Sequence, residues 1–144
     1  MRLPLFQVDA FATRAFAGNP AAVVPLQAPL PDALCQAIAA ENNLTETAFV
    51  ALHAGDGSAA QPFPLRWFTP TVEVDLCGHA TLASAWVLFR EGLARGEAVH
   101  FSSASGPLAT RRQARGPFRG DERLWLDFPA RPPRPLDDRA LLDA

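Results

Sequence analysis

The sequence predicts an α+β domain in which a curved, barrel-like mixed sheet wraps around a central buried helix. Many short segments carry the β-branched and aromatic residues typical of strands, whereas only two segments have helical character. One of the two, Gly78–Phe89, contains no ionisable residue except His79 and is apolar all round, which indicates burial on all sides. A doubly wound sheet would need a helix after nearly every strand, so this alternative is disfavoured.

The predicted strands are short and are separated by turns and prolines. The first two, Leu3–Phe11 and Ala21–Leu26, can pair as a hairpin across the turn at Gly18-Asn19-Pro20. Further strands are predicted at Thr45–Leu52, Leu65–Thr69, Val99–Ser102, Pro107–Thr110 and Leu124–Phe128.

The first helix is predicted to begin at Pro31-Asp32 and to end at Asn42-Asn43. Proline suits the first helical position, and an early aspartate suits the positive end of the helix dipole. Leu34, Cys35 and Ile38 fall on one face of this helix, so Cys35 is predicted to lie in the core.

Composition excludes several classes of protein. A hydrophobic fraction of 49% and a charged fraction of 19% suit one folded domain, and a formal net charge of −2 provides no overall basic field for nucleic acid. The basic patch Arg111–Arg119 is interpreted as a solvated loop or strand end. No apolar run reaches the ~18 residues of a membrane helix, and the start turns polar too soon for a signal peptide. These features predict a cytoplasmic protein that binds neither nucleic acid nor membrane.

Glu46 lies at the predicted junction between the first helix and the next strand, and its neighbours Leu44, Ala48 and Phe49 are mainly apolar. A carboxyl group in such surroundings loses hydration, which favours its protonated form and suits a group that transfers protons near neutral pH. The spacing equally allows Glu46 to be an exposed residue on the outer face of the strand, so both interpretations stay open here.

The segment Glu73–Thr81 leads into the buried helix and holds further candidates. Gly78 leaves the backbone open to close approach, and the free N–H groups of a helix N-terminus suit a carboxylate or a phosphate. His79 is placed either to donate a hydrogen bond or relay a proton, or simply to pack at the start of the helix. Cys77, at the same helix end, is a candidate acidified thiol.

Asn19 is a candidate substrate-binding residue, although an Asn in Gly18-Asn19-Pro20 can equally serve only to stabilise a turn. His53 and His100 have no partners at metal-ligand spacing, and the two cysteines lack the spacing of a zinc site. The sequence therefore predicts no metal site. It also contains no Gly-rich dinucleotide fingerprint and no phosphate-loop motif.

Four stretches together resemble the phenazine-biosynthesis F (PhzF)-like isomerase family. Their order and spacing along nearly the whole chain make the resemblance specific. They are Phe6–Phe11 with Gly18-Asn19-Pro20, Asn43–Phe49, Arg66–Thr71 running into Leu76–Thr81, and Leu126–Ala130.

The resemblance implies a fold shared with diaminopimelate epimerase, in which two similar lobes each wrap a sheet around a central helix and the active site lies between them. It further implies that Glu46 is the catalytic acid/base and that Gly78 and His79 hold and orient the substrate. In such an enzyme, without metal or organic cofactor, the glutamate moves a proton along an allylic system of a small carboxylic acid. Backbone N–H groups at the helix end would anchor the substrate carboxylate.

Members of this family have two lobes, so the resemblance implies that residues 1–130 form an amino-terminal lobe. Residues 131–144 are then a linker and the start of a second lobe. Pro129–Pro135 is typical of a linker, and Arg139–Leu142 is typical of a helix that is just beginning. We therefore expect an isomerase lobe that is incomplete without a second lobe or a homo-oligomer partner.

Two other functions stay open. A non-catalytic binding or assembly module would use the apolar surface that an unpaired lobe exposes. A thiol-based epimerase or racemase half would use Cys77, because diaminopimelate epimerases place a cysteine in the loop before their central helix. That mechanism requires a second cysteine from another lobe, since Cys35 is predicted to lie in the core.

Overall fold

A computed structural model describes residues 2–113 and 123–128. Within these ranges the chain forms eight strands and two α-helices, with one short 3₁₀ turn at Leu52–Ala54. The helices are α1 (Asp32–Asn42) and α2 (Gly78–Arg90). The strands are β1 (Phe6–Ala10), β2 (Asn19–Leu26), β3 (Glu46–Ala51), β4 (Phe63–Phe68), β5 (Glu73–Val74), β6 (Ala98–Ser103), β7 (Gly106–Arg112) and β8 (Leu124–Asp127).

All the strands and both helices predicted from the sequence are present, with ends shifted by a few residues. The sequence pattern does not predict β5 or the 3₁₀ turn, because two or three residues are too few to show a periodic pattern. The end of α1 is set by Asn43, which adopts the left-handed conformation (φ 51°) and donates its backbone N–H to the carbonyl of Ala39.

The strands form one mixed sheet in the order β1-β2-β3-β4-β6-β7-β8, with β5 paired to β4. The β2–β3 and β4–β6 pairs are parallel and the others are antiparallel, including the predicted β1–β2 hairpin. Helix α2 contacts strands near both ends of this order, namely β1, β2 and β3 on one side and β7 and β8 on the other. The sheet therefore curls around α2, which confirms the predicted α+β class and barrel-like architecture.

Two hydrophobic clusters lie on the two faces of the sheet. The inner cluster surrounds α2 and includes Ala21, Val23, Ala48, Val50, Leu65, Trp67, Val87, Leu88, Val99 and Phe101. The outer cluster lies between α1 and the sheet and includes Val24, Leu26, Cys35, Ala39, Phe49 and Phe68. Because β2 is covered on both faces, its sequence is apolar almost throughout instead of alternating. The predicted core position of Cys35 is confirmed.

The enclosure of α2 is incomplete. Gly78, Leu82 and Trp86 recur every four residues and are only half-buried, so they form one stripe along the helix. Leu82 and Trp86 line a groove whose other walls are β1 and β8. These strands are the two edges of the sheet, and in the part of the chain that the structure describes they do not pair with each other. The prediction of a helix buried on all sides is therefore corrected along this stripe.

Several predictions lie partly or wholly outside the described residues. They concern the linker Pro129–Pro135, the helix start Arg139–Leu142 and the part of the Arg111–Arg119 patch beyond residue 113. The two described members of that patch belong to β7: Arg111 pairs with Asp127 (3.0 Å), and the Arg112 guanidinium lies over the Phe89 ring. Neither α1 nor α2 is long and apolar enough to cross a membrane.

Replacing Leu88 by alanine tests how far the fold depends on α2. Leu88 is fully buried in the inner cluster, so the substitution leaves a cavity that costs about 2–5 kcal/mol of unfolding free energy. Leu5→Ala is the matched control, because Leu5 is exposed and its truncation changes stability by about 0.5 kcal/mol or less. Urea denaturation measures both values, and equal losses would contradict a core centred on α2.

Candidate functional site

Glu46 and the start of α2 come together at one end of the inner layer. Glu46 is the first residue of β3, and its side chain shares the inward face of that strand with Ala48 and Val50. Cys77 is the N-cap residue of α2, and His79 lies in the first turn of the helix. Glu46 therefore points toward the helix N-terminus, and the alternative of an exposed residue on the outer face of the strand is wrong.

The imidazole of His79 lies between the other two side chains. Its Nε2 is 3.2 Å from Oε2 of Glu46, and its Nδ1 is 3.3 Å from Sγ of Cys77. The side chains of His79 and Glu46 are only 9% and 16% exposed. We call these three residues the Glu46–His79–Cys77 cluster. Its carboxylate and its thiol contact the two nitrogens of the imidazole, one on each side.

The contact between His79 and Glu46 is close but poorly directed. Nε2 of His79 and Oε2 of Glu46 are buried, and neither makes a well-aligned hydrogen bond to another described residue. Buried polar atoms are normally paired. Hydrogen bonds in active sites are often misaligned before substrate binds and tighten afterwards. These two atoms therefore face each other at 3.2 Å without a well-aligned hydrogen bond between them.

The thiol of Cys77 is neutral near pH 7. Burial raises the pKa of this thiol to about 11, and the nearby Glu46 carboxylate adds to the increase. The backbone N–H groups of Ala80 and His79 oppose it, as expected at a helix N-terminus, but desolvation is the stronger effect. The sequence-based idea of an acidified Cys77 is therefore wrong. The sequence pattern also gives no indication that this thiol contacts His79.

Gly78 provides space for an aromatic ring of the same chain. A Cβ atom at this position would lie 2.6 Å from Cζ of Phe128, which follows β8. Phe128 therefore approaches the backbone of Gly78 closely, while the role of Gly78 in substrate binding stays a prediction. About half of the Phe128 side chain is exposed, so this ring forms a cover over the N-terminus of α2 that sequence reasoning misses.

Asn19 lies on the same side of the sheet as Glu46. It is the first residue of β2, and it is half-buried. The parallel pairing of β2 with β3 places Ala21 opposite Glu46. Asn19 lies two residues before Ala21 in β2. Since alternate residues of a strand point to the same face, the side chain of Asn19 points inward like that of Ala21. The structure thus brings Asn19 to the end of the inner layer where Glu46 lies, while its role in substrate binding stays a prediction.

The cluster also has donor atoms that a metal ion could use. The ligand atoms of Glu46, Cys77 and His79 all lie within 4.8 Å of one another, a set that spacing along the chain does not reveal. However, the thiol faces Nδ1 and the carboxylate faces Nε2 of the imidazole. A single ion binds one of these nitrogens, so one of the other two side chains would have to move. The geometry favours a row of polar contacts through the imidazole over a metal centre.

Two cavities of the described chain lie away from the cluster. The groove between β1, α2 and β8 has a volume of about 830 Å³, and a second cavity of about 720 Å³ is lined partly by His100. Neither is lined by Glu46, Cys77 or His79. The cluster is therefore not enclosed by either cavity of this domain.

The buried thiols predict an alkaline loss of stability. All 13 basic side chains are arginine and there is no tyrosine, so Cys35 and Cys77 are the side chains that titrate between about pH 9 and 11. Burial raises the pKa of both folded thiols. Above about pH 9 the unfolded thiols ionise first, so the folded state binds more protons and the unfolding free energy falls as pH rises.

Urea denaturation between pH 8 and 11 measures this dependence. We expect Cys77→Ser and Cys35→Ser each to remove part of the decrease, and the double variant to remove nearly all of it. An unchanged decrease in the double variant would assign the effect to other groups. Below about pH 7 the thiol contribution is constant, because both the folded and the unfolded state keep the thiols protonated.

Comparison with known proteins supports the fold and the family. Residues 8–144 match the family model described as phenazine biosynthesis-like protein (PhzC-PhzF). The chain is 54% identical over 135 residues to an uncharacterized isomerase of Pseudomonas aeruginosa, covering 94% of this chain and 47% of that protein. It is 48% identical to a human phenazine biosynthesis-like domain-containing protein, covering 95% of this chain and 46% of that one. The chain thus spans about half the length of these relatives.

Solved structures show the same relationship. A PhzF-family protein of Enterococcus faecalis matches with a TM-score of 0.71 and 52% identity, over 78% of this chain and 41% of that one. A hydroxyproline epimerase of Agrobacterium vitis matches with a TM-score of 0.55 and 12% identity, over 78% of this chain and 38% of that one, which shows a shared fold alone. Because residues 8–144 of this chain match the family model, the chain belongs to the phenazine biosynthesis-like (PhzC/PhzF) family.

Proposed function

We propose that this chain is one lobe of an isomerase that shifts a proton on a small carboxylic acid, with Glu46 as the acid/base. The observation that carries the proposal is the inward-facing Glu46 carboxylate, which lies 3.2 Å from His79 at the N-terminus of the buried helix. Membership of a family whose relatives are named isomerases supports the reaction class. The absence of a metal or organic cofactor from the reaction stays a prediction.

The proposed reaction uses one carboxylate twice. Glu46 removes a proton from an activated carbon of the substrate and returns it to another carbon, so no net proton is gained or lost. The free N–H groups at the start of α2 hold the substrate carboxylate near Gly78. Phe128, which packs over Gly78, moves aside or closes over the bound substrate. Nε2 of His79 provides a polar contact beside the reacting carbon.

A second lobe completes the site in this proposal. The relatives are about twice as long as the matched segment. Glu46 lies outside both described cavities, so the groups that close over the substrate come from elsewhere. A second lobe, or a homo-oligomer partner, supplies the opposite wall of the cleft. The cytoplasmic location and the lack of nucleic-acid and membrane partners stay predictions.

The thiol-based epimerase is less well supported than the carboxylate mechanism. A thiol whose pKa is raised to about 11 is a weak source of thiolate near neutral pH. Cys35 cannot assist, because it lies in the outer cluster, on the other face of the sheet. The Glu46 carboxylate needs no such activation to accept a proton.

A chimera tests the proposed role of Glu46. The matched segment of this chain replaces its counterpart in the 54%-identical P. aeruginosa relative, so that the second lobe is present. The assay follows deuterium incorporation from D₂O into a panel of unsaturated carboxylic acids by NMR. Loss of the group that transfers the proton lowers exchange by about 10²–10⁴-fold in the Glu46→Gln chimera.

Glu41→Gln is the matched control, because Glu41 is an exposed residue at the end of α1. It should leave the exchange rate unchanged. The proposed function is wrong if the Glu46→Gln chimera retains the activity of the unsubstituted chimera.

An assembly module is the second candidate, and exposed aromatic side chains favour it. Phe11 and Phe16 are 72% and 98% exposed in the loop between β1 and β2, and both have positive φ angles. Such a conformation costs roughly 1–3 kcal/mol for a bulky residue, so another constraint holds it. One such constraint is the Phe16 N–H, which donates to Oδ2 of Asp9. Trp125, at the opposite sheet edge, is 59% exposed.

If this aromatic surface drives association, Phe16→Ser shifts the chain toward the monomer. Sedimentation equilibrium of the 144-residue chain measures the association constant, and we expect it to fall about tenfold, as loss of one exposed aromatic contact implies. Val72→Ser is the control, because Val72 is exposed at a site distant in the chain from this loop. A monomeric parent chain, or equal effects of both substitutions, would argue against an assembly role for the loop.

A further inference from the structure

We propose that Cys77 is a positioning residue whose thiol donates a hydrogen bond to Nδ1 of His79 and so fixes the tautomer that presents Nε2–H to Glu46. The inference concerns the chain's own geometry. Its catalytic meaning rests on the function proposed above, in which Glu46 carries the proton.

The contacts allow this assignment of donor and acceptor, which is one of the two that the ring tautomers permit. A neutral imidazole has one ring nitrogen that donates and one that accepts. Sγ of Cys77 lies 3.3 Å from Nδ1, and both residues are buried. A protonated thiol can donate at this distance, which makes Nδ1 the acceptor. The ring proton then sits on Nε2, the nitrogen that lies 3.2 Å from the Glu46 carboxylate.

Burial keeps the thiol in the form that this arrangement needs. Desolvation raises the pKa of Cys77 to about 11, so its S–H is retained near neutral pH. The same environment that prevents Cys77 from acting as a base therefore makes it a hydrogen-bond donor. The Glu46 carboxylate is the competing acceptor for this S–H, since it also neighbours the thiol.

The backbone of Cys77 is held by the first turn of α2. Its carbonyl accepts the Thr81 N–H at 3.2 Å and the Thr81 hydroxyl at 2.6 Å. Thr81 is fully buried, so this double contact is shielded from water. The fixed backbone limits where the Cys77 side chain can lie, and the thiol thus provides a stationary partner for Nδ1.

The tautomer matters for the proposed proton transfer. With hydrogen on Nδ1, the lone pair of Nε2 would face the Glu46 carboxylate and repel it. With hydrogen on Nε2, the imidazole stabilises the ionised carboxylate that removes the substrate proton. The same carboxyl group then returns the proton to another carbon of the substrate, which restores the starting state.

Nitrogen-15 NMR of the 144-residue chain tests the tautomer directly. The chain is labelled at its histidines, and the His79 signals are assigned by their loss in His79→Asn. Protonated and unprotonated ring nitrogens are well separated in long-range ¹H–¹⁵N spectra, which are recorded at pH 8. We expect an unprotonated Nδ1 and a protonated Nε2. A protonated Nδ1 would overturn the proposal and assign the S–H to Glu46 or to no acceptor.

Substitutions of Cys77 separate positioning from packing. Cys77→Val fills a similar volume without a donor, so the ratio of Nε2–H to Nδ1–H tautomer falls about fivefold, equivalent to about 1 kcal/mol for one hydrogen bond. Cys77→Ser restores a donor and keeps the ratio near that of the parent chain. Cys35→Ser, in the outer cluster, leaves it unchanged. An unchanged ratio in a folded Cys77→Val chain would overturn the proposal.

The chimera distinguishes this inference from the proposed function. There Cys77→Val lowers kcat with little change in KM, and Cys77→Ser recovers most of the loss. If Glu46→Gln leaves exchange intact while the tautomer responds to Cys77, the proposed function fails and the positioning contact stands. If exchange depends on Glu46 but the tautomer ratio does not change when Cys77 is substituted, only the positioning role of Cys77 is wrong.

Discussion

The burial of α2 inside the curved sheet is the constraint on which the rest of the structure depends. This helix contacts strands near both ends of the sheet and supplies a third of the buried residues of the inner cluster. Apart from His79 and Arg90, its residues are small or apolar, so the strands can pack closely against it. Because α2 is fixed within the sheet, its N-terminus is also fixed against the start of β3. The candidate site is the place where those two ends meet.

The same burial decides the chemistry available at that end. Desolvation keeps the Cys77 thiol protonated despite the helix N–H groups beside it. It also places His79 and Glu46 in a setting where unpaired polar atoms are costly. In the proposed mechanism the three groups therefore have separate roles: the carboxylate carries a proton, the imidazole directs it and the thiol orients the imidazole. A thiol base and a carboxylate base are not equivalent options in this environment.

The open side of the layer is where we propose that another lobe or chain packs. The sheet has two edges, β1 and β8, and the half-buried stripe of α2 lies between them. Exposed aromatic side chains flank this groove. Large exposed apolar patches mark interaction surfaces in folded proteins. A chain that spans about half the length of its relatives presents such surfaces if the remaining half normally covers them.

The sequence alone determined the local elements, because their signals are local: proline and aspartate begin α1, Asn43 ends it, and the apolar run Gly78–Phe89 forms a buried helix. It also made Glu46, Gly78 and His79 candidates through their positions, and the family resemblance then implied a role for each. Tertiary structure decided which way Glu46 faces, since that depends on the pairing of β3 with β2. It likewise decided the contact of Cys77 with His79 and the neutral state of the thiol, because desolvation depends on everything packed around a group.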